Sequence, residues 1–245
     1  MKISSITDTN KREQNEDNRL IIPKKVKNKK LLLAAVFDGM GGTEAGEEAS
    51  RMAREAFEEW FENLSLDMLI KHIDALKPEL TELLVKINED IYNYGLEIEK
   101  SLGTTSAILI LVGEEYFVAN IGDSRVYRFG SKNMQITKDQ TLAQVEIDRG
   151  NLTPEEAVND KRSHTLTQSL GYIDKPEPDF YKGKCRKGDA FLLCSDGMYN
   201  RVRIADMAEI VKDKDLNTKE KLIQIAILSK AEGEKDNITG ILVEM

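Results

Sequence analysis

The chain has 245 residues, 40% of them hydrophobic, and a formal charge of −8. That length can bury one substantial core. An acidic balance without a basic stripe argues against a nucleic-acid partner.

No apolar run approaches the ~18 residues of a membrane span, and the opening MKISSITDTNKREQNED has no signal-peptide core. No membrane insertion is therefore expected, and the compartment is read as cytoplasmic. Cys185 and Cys194 form neither a C-x-x-C pair nor a disulfide framework. Cys194, inside AFLLC, reads as a small buried hydrophobe.

Along the chain, KKVKNKK (24–30) reads as a solvated turn. LLLAAVF (31–37) is short, continuous and bounded by turn residues, which predicts a strand buried on both faces. In the following TEAGEEASRMAREAFEEWFENL, Met52, Ala56, Trp60 and Leu64 recur every fourth residue with Ala53, Phe57 and Phe61 beside them. That spacing predicts an amphipathic helix with an aromatic core stripe. A second helical region is expected over 66–99, broken or restarted at Pro78.

Residues 104–112, 116–121, 124–129 and 134–137 are β-rich with tight connections, hence antiparallel strands. Thr153-Pro154-Glu155-Glu156 is a capping box with proline at the first helical position. AFLLC (190–194) is a further buried strand, helices are expected over 204–212 and 218–231, and ITGILVEM closes the chain as a strand. With no repeat and no linker, residues 1–245 are expected to form a single α+β domain.

Carboxylates recur at the strand ends. Asp38 follows LLLAAVF, Asp123 follows YFVANIG, Asp196 follows AFLLCS, Asp236 precedes the last strand, and Asp17 closes NED ahead of RLII. Each alone is an ordinary turn former. Gathered at adjacent strand ends, they would repel, and a hard divalent cation with oxygen ligands would relieve the repulsion. Bare backbone in VFDGMGG would let a carbonyl oxygen approach such an ion. Two ions can activate water and clamp a phosphoryl group, and the planar fork of Arg12 suits a phosphate.

Arg12-x-x-Asn15-Glu16-Asp17, VFDGMGG, GTTSAILIL, NIGDSRVY, SDG and KDNIT follow one another in that order. Together they resemble the metal-dependent serine/threonine protein phosphatases of the protein phosphatase 2C (PPM) family in their compact bacterial form, from about Thr7 to Val243. The resemblance implies a β-sandwich of two antiparallel sheets, flanked by helices on both sides, with metals in a cleft at one end. It implies that Asp38 bridges two Mn2+ or Mg2+ ions, that the Gly39 carbonyl completes one site, and that Asp196 and Asp236 hold the other. Glu16 and Asp17 would order metal-bound waters, Arg12 would bind the substrate phosphate, and Asp123 would bind a weaker third ion. Residues 138–164 correspond to a flap linked to substrate choice.

The chemistry implied is direct attack on phosphorus by a hydroxide bridging the two ions, without a phosphoenzyme. Phosphorylated proteins are the implied partners, a bacterial Ser/Thr kinase among them. Neither cysteine begins a C-x5-R loop. Met40 stands where eukaryotic members carry a histidine, which leaves the leaving-group proton to a metal-bound water. Asp139-Gln140-Thr141 and Met198-Tyr199-Asn200 also depart from the family pattern and bear on substrate preference. His72 reads as a helix-surface residue and His164 as a minor contributor to substrate binding. A monomer is expected. Two alternatives stay open: a catalytically inactive phosphoprotein-binding module on the same fold, and a metal-dependent nucleotide hydrolase.

Overall fold

LLLAAVF forms the middle of strand β3 (Lys29–Met40), and its alternation divides the interior into layers. Leu31, Leu33, Ala35 and Phe37 enter one core while Leu32, Ala34 and Val36 enter another. Successive side chains of a strand point to opposite faces, so an unbroken apolar run needs cover on both. The computed structural model describes residues 1–26, 29–41, 45–65, 73–158, 160–172 and 174–245.

The remaining strands are β1 (Lys2–Asp8), β2 (Asp17–Val26), β4 (Gly103–Thr104), β5 (Ser106–Val112), β6 (Glu115–Ile121), β7 (Arg125–Phe129), β8 (Met134–Gln135), β9 (Asp179–Lys184), β10 (Ala190–Cys194) and β11 (Ile238–Glu244). One sheet runs β2-β3-β5-β6-β9, with β4 paired to β3; the other runs β1-β11-β10-β7-β8. Every pairing is antiparallel.

Helices α1 (Ala45–Asn63) and α2 (Leu76–Glu97) pack on the first sheet. α3 (Leu142–Asp148) and α4 (Pro154–Ala157) lie between β8 and β9. α5 (Asp196–Tyr199), α6 (Ile204–Lys212) and α7 (Thr218–Ala231) cover the second sheet. Between the sheets, Leu32, Val36 and Leu109 meet Phe191, Leu193 and Ile241, and the Tyr116 and Phe191 rings meet edge-on at 5.3 Å. The result is the expected sandwich with helices on both outer faces.

Several local readings shift. In α1 the fully buried stripe is Ala49, Ala53, Phe57 and Phe61, with Met52, Ala56 and Trp60 packed along its margin. A helix restarts around Pro78, as expected, while residues 66–72 before it lie outside the described residues. Pro78 sits in the first turn of α2, where a missing N–H costs no intrahelical bond. Both ends of KKVKNKK are strand, since β2 runs to Val26 and β3 begins at Lys29, and the turn expected between them falls on residues 27–28, outside the described residues. Lys24 Nζ donates to the Phe61 carbonyl at 2.7 Å and lies 4.7 Å above that ring, tying β2 to α1. Of the expected 134–137 strand, Met134–Gln135 is strand, while Ile136 N–H still donates to the Val126 carbonyl at 2.7 Å and Thr137 Oγ1 accepts from the Val126 N–H at 3.1 Å.

The capping box at Thr153 and Glu156 forms as read. His72 lies outside the described residues. Among the described residues no helix is long and apolar enough to cross a membrane.

Phe57 is 0% exposed, with its ring 5.6 Å from Phe37 and 6.2 Å from Trp60. Phe57→Ala is expected to destabilise by about 3–5 kcal/mol. Ile227→Ala on the 53% exposed face of α7 should change stability by under about 0.5 kcal/mol. Urea midpoints at constant m-value check both.

Candidate active site: a carboxylate cleft at one end of the sandwich

Register builds the first half of the site. β2 and β3 pair so that Asp17 stands directly opposite Asp38, an arrangement that destabilises when both are charged. The Asp38 backbone is held on both sides. Its N–H donates to Thr105 Oγ1 at 3.0 Å, and its carbonyl accepts from the Thr105 N–H at 2.9 Å and from Thr104 Oγ1 at 3.0 Å.

The bare backbone at Gly39 has a packing use of its own. A Cβ there would stand 2.1 Å from the Gly46 carbonyl at the start of α1 and 2.5 Å from the Glu16 carbonyl.

The second sheet supplies the other half. Asp196 opens α5 just beyond β10, Asp236 lies two residues before β11, and β10 pairs with β11. Their segments abut: a Cβ on Gly197 would lie 2.1 Å from the Asn237 carbonyl. Buried Ser195 bridges the two sheets by donating Oγ–H to Asp17 Oδ2 at 2.7 Å. Tyr199 Oη donates to the Asp123 carbonyl at 2.9 Å.

Asn237, invisible to the sequence reading as a site residue, fastens the loop that carries Arg12 and Glu16. Its Nδ2 donates to the carbonyls of Thr9 and Gln14 at 3.0 and 2.9 Å, and its Oδ1 accepts from the Glu16 N–H at 2.9 Å.

The electrostatics follow from this convergence. Burial, then repulsion from Asp17, Asp196, Asp123 and Asp236, pushes the Asp38 carboxyl well above its ordinary range. Burial raises Asp17 to about 7 against the opposing hydrogen bonds from Ser195 and Thr239. Asp196 rises to about 6 through burial and then Asp236. Asp123 is pushed well up by burial, then Asp196. Burial also raises Glu16, which Arg12 partly offsets.

Arg12 does not stand free. Its Nε and Nη2 donate to Asp236 Oδ1 and Oδ2 at 2.9 and 2.7 Å. The arginine expected to hold phosphate is thus paired with a carboxylate expected to hold metal, because it is the cation that this acidic loop cluster brings nearest.

Beside Asp196 and Asp236 opens a cavity of about 960 Å³, walled by the 139–164 segment and by the residues around α5 and α6. His164 is on its wall and within electrostatic reach of Asp196. The thiols take no part. Both are buried and unpaired, and burial raises Cys185 to about 11 and Cys194 further.

The donor set fits hard divalent ions. It offers oxygen only, and its carboxylates hold protons against their nature unless a cation neutralises them. Among the described residues, however, no three Asp, Glu, His or Cys side chains already close on one point as a finished cage. Asp236 is turned to Arg12, Asp196 to Asn200 at 2.9 Å, and Asp17 to Ser195.

Fold and cleft together define a helix-flanked double-sheet protein with a carboxylate centre suited to divalent cations. The family model described as Protein phosphatase 2C matches residues 10–227, and the chain belongs to that family. It is 34% identical over 238 residues, 95% of this chain and 91% of the relative, to "Serine/threonine phosphatase stp" of Listeria innocua. It is 32% identical over 249 residues to "Protein phosphatase PhpP" of Streptococcus pneumoniae, covering 100% of this chain and 98% of that one. Among solved structures, the S. agalactiae serine/threonine phosphatase superposes with a TM-score of 0.90 at 28% identity, over 100% of this chain and 99% of that one. The catalytic domain of the phosphatase PstP, in complex with two manganese ions, superposes with a TM-score of 0.80 at 27% identity, over 99% and 97%.

The raised carboxyls carry a pH signature. Asp17 near 7 and Asp196 near 6 keep protons that an unfolded chain releases at about 3.9. The folded state binds more protons in that window, so stability is full below about pH 4 and declines as pH rises towards about 7. Melting temperature in EDTA should fall across that range, and Asp17→Asn should flatten the upper part of the decline. A melting temperature that rises through the window would contradict the assignment.

Proposed function

We propose that this serine/threonine phosphatase hydrolyses phosphoserine and phosphothreonine esters of proteins in the cleft beside Asp38. Manganese or magnesium would be held there by Asp38, the Gly39 carbonyl, Asp196 and Asp236, with a weaker third ion at Asp123. The observation that carries the reading is the convergence of Asp17, Asp38, Asp123, Asp196 and Asp236, where burial and then the neighbouring carboxylates raise Asp17, Asp38, Asp123 and Asp196. The names of the relatives and the two manganese ions in the PstP structure support it.

Divalent ions bound there would supply Lewis acidity, neutralising the carboxylates and making water a competent nucleophile near neutral pH. The chain's own groups do the rest. Thr104 and Thr105 fix the Asp38 backbone, Ser195 orients Asp17, and Asn237 holds the loop bearing Glu16 and Arg12. Arg12, released from Asp236, presents a planar fork to the substrate phosphate. Met40 has no proton to give, so the departing seryl or threonyl oxygen takes one from water in the cleft. Buried thiols cannot attack phosphorus, which removes a cysteinyl-phosphate route.

Phosphorylated proteins, a Ser/Thr kinase among them, are the partners this chemistry implies. Residues 1–245 are read as one domain acting as a monomer. Two free, buried cysteines suit a reducing compartment such as the cytoplasm. No observation favours an inactive binding module.

Phosphate release from a phosphothreonine peptide should require Mn2+ and stop in EDTA. Asp38→Asn should lower turnover at least ~100-fold. By removing one of the repelling charges it should also raise the melting temperature in EDTA, the usual exchange of activity for stability. EDTA-resistant turnover, or an Asp38→Asn protein as active as the parent, would sink the reading.

A further inference from the structure

The cleft is far larger than a phosphoseryl group. Its roughly 960 Å³ run from Asp196 and Asp236 past the 139–164 segment to the chain that follows α5. A substrate peptide reaching the carboxylates must therefore lie along those walls.

Asp196 on the wall accepts from the Asn200 amide, and most of the other charged side chains are engaged as well. Asp139 is neutralised by Arg125 at 2.6 Å, Asp160 by Arg162 at 2.8 Å, Asp236 by Arg12 at 2.7 Å, and Arg203 by Asp206 at 2.8 Å. Glu234 is buried and accepts the N–H groups of Lys235 and Asp236 at 2.7 and 2.9 Å. Two cations remain. Lys161, in the 3-10 turn that ends the flap, and Arg201, just beyond α5, both face the cavity and are exposed. Neither side chain has a hydrogen-bond or ion-pair partner among the described residues. In a protein of net charge −8, these two unpaired cations are points on the cleft wall where an anion can attach.

We propose that Lys161 and Arg201 determine specificity. They select phosphopeptides that carry a second anionic group, an acidic side chain or another phosphoryl, within a few residues of the scissile phosphoester. This rests on the phosphatase reading above. A strand-like peptide advances about 3.3 Å per residue, so a cleft of this size accommodates flanking positions on the substrate. Exposed pairs of this kind are individually weak, and two together give a preference of about five-fold. Such a preference acts through binding and is screened by salt.

Three phosphothreonine peptides with one core sequence decide the matter: neutral flanks, flanking Asp and Glu, and a flanking non-hydrolysable phosphonate. They are assayed with Mn2+ on wild type and on the Lys161→Gln/Arg201→Gln double variant, with para-nitrophenyl phosphate as a substrate that has no flanks. Wild type should favour the anionic peptides about five-fold in kcat/KM, expressed in KM, with the preference lost at about 0.5 M salt. The double variant should lose the preference while keeping para-nitrophenyl phosphate turnover. A response to the phosphonate alone identifies a second phosphoryl as the ligand; a response to both shows that a carboxylate suffices. Equal kcat/KM for all three peptides, or a preference that survives in the double variant, overturns the proposal while leaving the phosphatase reading intact. Wild type inert towards para-nitrophenyl phosphate and peptides alike overturns the reading on which the proposal rests.

Discussion

Repulsion among carboxylates is the constraint around which this molecule is arranged. Asp17 and Asp38 face each other across a strand pair, and Asp123, Asp196 and Asp236 approach from neighbouring strand ends. No isolated sheet would hold such a group together. Here the three apolar layers fix the strand ends in place, and Asp17, Asp38, Asp123 and Asp196 answer by keeping protons. The stability of the sandwich is what holds the cleft in an unfavourable state, and a cation that relieved it would return that energy as affinity.

The supporting hydrogen bonds make sense in that light. Ser195 joins the sheets by donating to Asp17, and the two threonines after Gly103 grip the Asp38 backbone rather than its carboxylate. Asn237 spends both ends of its amide on the 9–16 loop. Apart from the pairing of Arg12 with Asp236 and the Asn200 contact to Asp196, backbone and hydroxyl donors do the positioning. The carboxylates are therefore placed without being fully neutralised.

What the sequence could disclose depended on whether information was local. Strands β3, β5, β10 and β11 are apolar on both faces and announce themselves. So do α6 and α7, whose ends coincide with the expected 204–212 and 218–231. β1, KISSITD, and β9, DFYKGK, are edge strands in their sheets and only partly buried, so their composition resembles loop. Helix α3 was hidden in a polar stretch because little of it is buried. The strand-end aspartates were legible as candidates since each follows or precedes an apolar run. Their partners were not. Arg12 meets Asp236 across 224 positions and Ser195 meets Asp17 across 178, contacts that only the closed fold creates.

Two departures from the family pattern find a shared purpose in the structure. Gln140 accepts the Gly122 N–H at 2.8 Å and donates to Asp179 Oδ2 at 3.0 Å, while its own N–H donates to the Gly122 carbonyl at 3.1 Å. Tyr199 donates to the Asp123 carbonyl, and the Arg125 guanidinium lies 3.6 Å over its ring while also clasping Asp139. Both residues brace the Gly122–Asp123 turn, one from the root of the flap and the other from the helix that begins at Asp196. The far end of the flap is tied to the same root, since Thr167 N–H donates to the Gln140 carbonyl at 2.8 Å and Leu142 N–H to the Thr165 carbonyl at 2.8 Å. The 140–167 segment, the turn that carries Asp123 and, through Tyr199, the helix that begins at Asp196 are thus joined by one chain of hydrogen bonds. Residues that looked like losses from a motif are the contacts that tie the cavity wall and the carboxylate centre to the same Gly122–Asp123 turn.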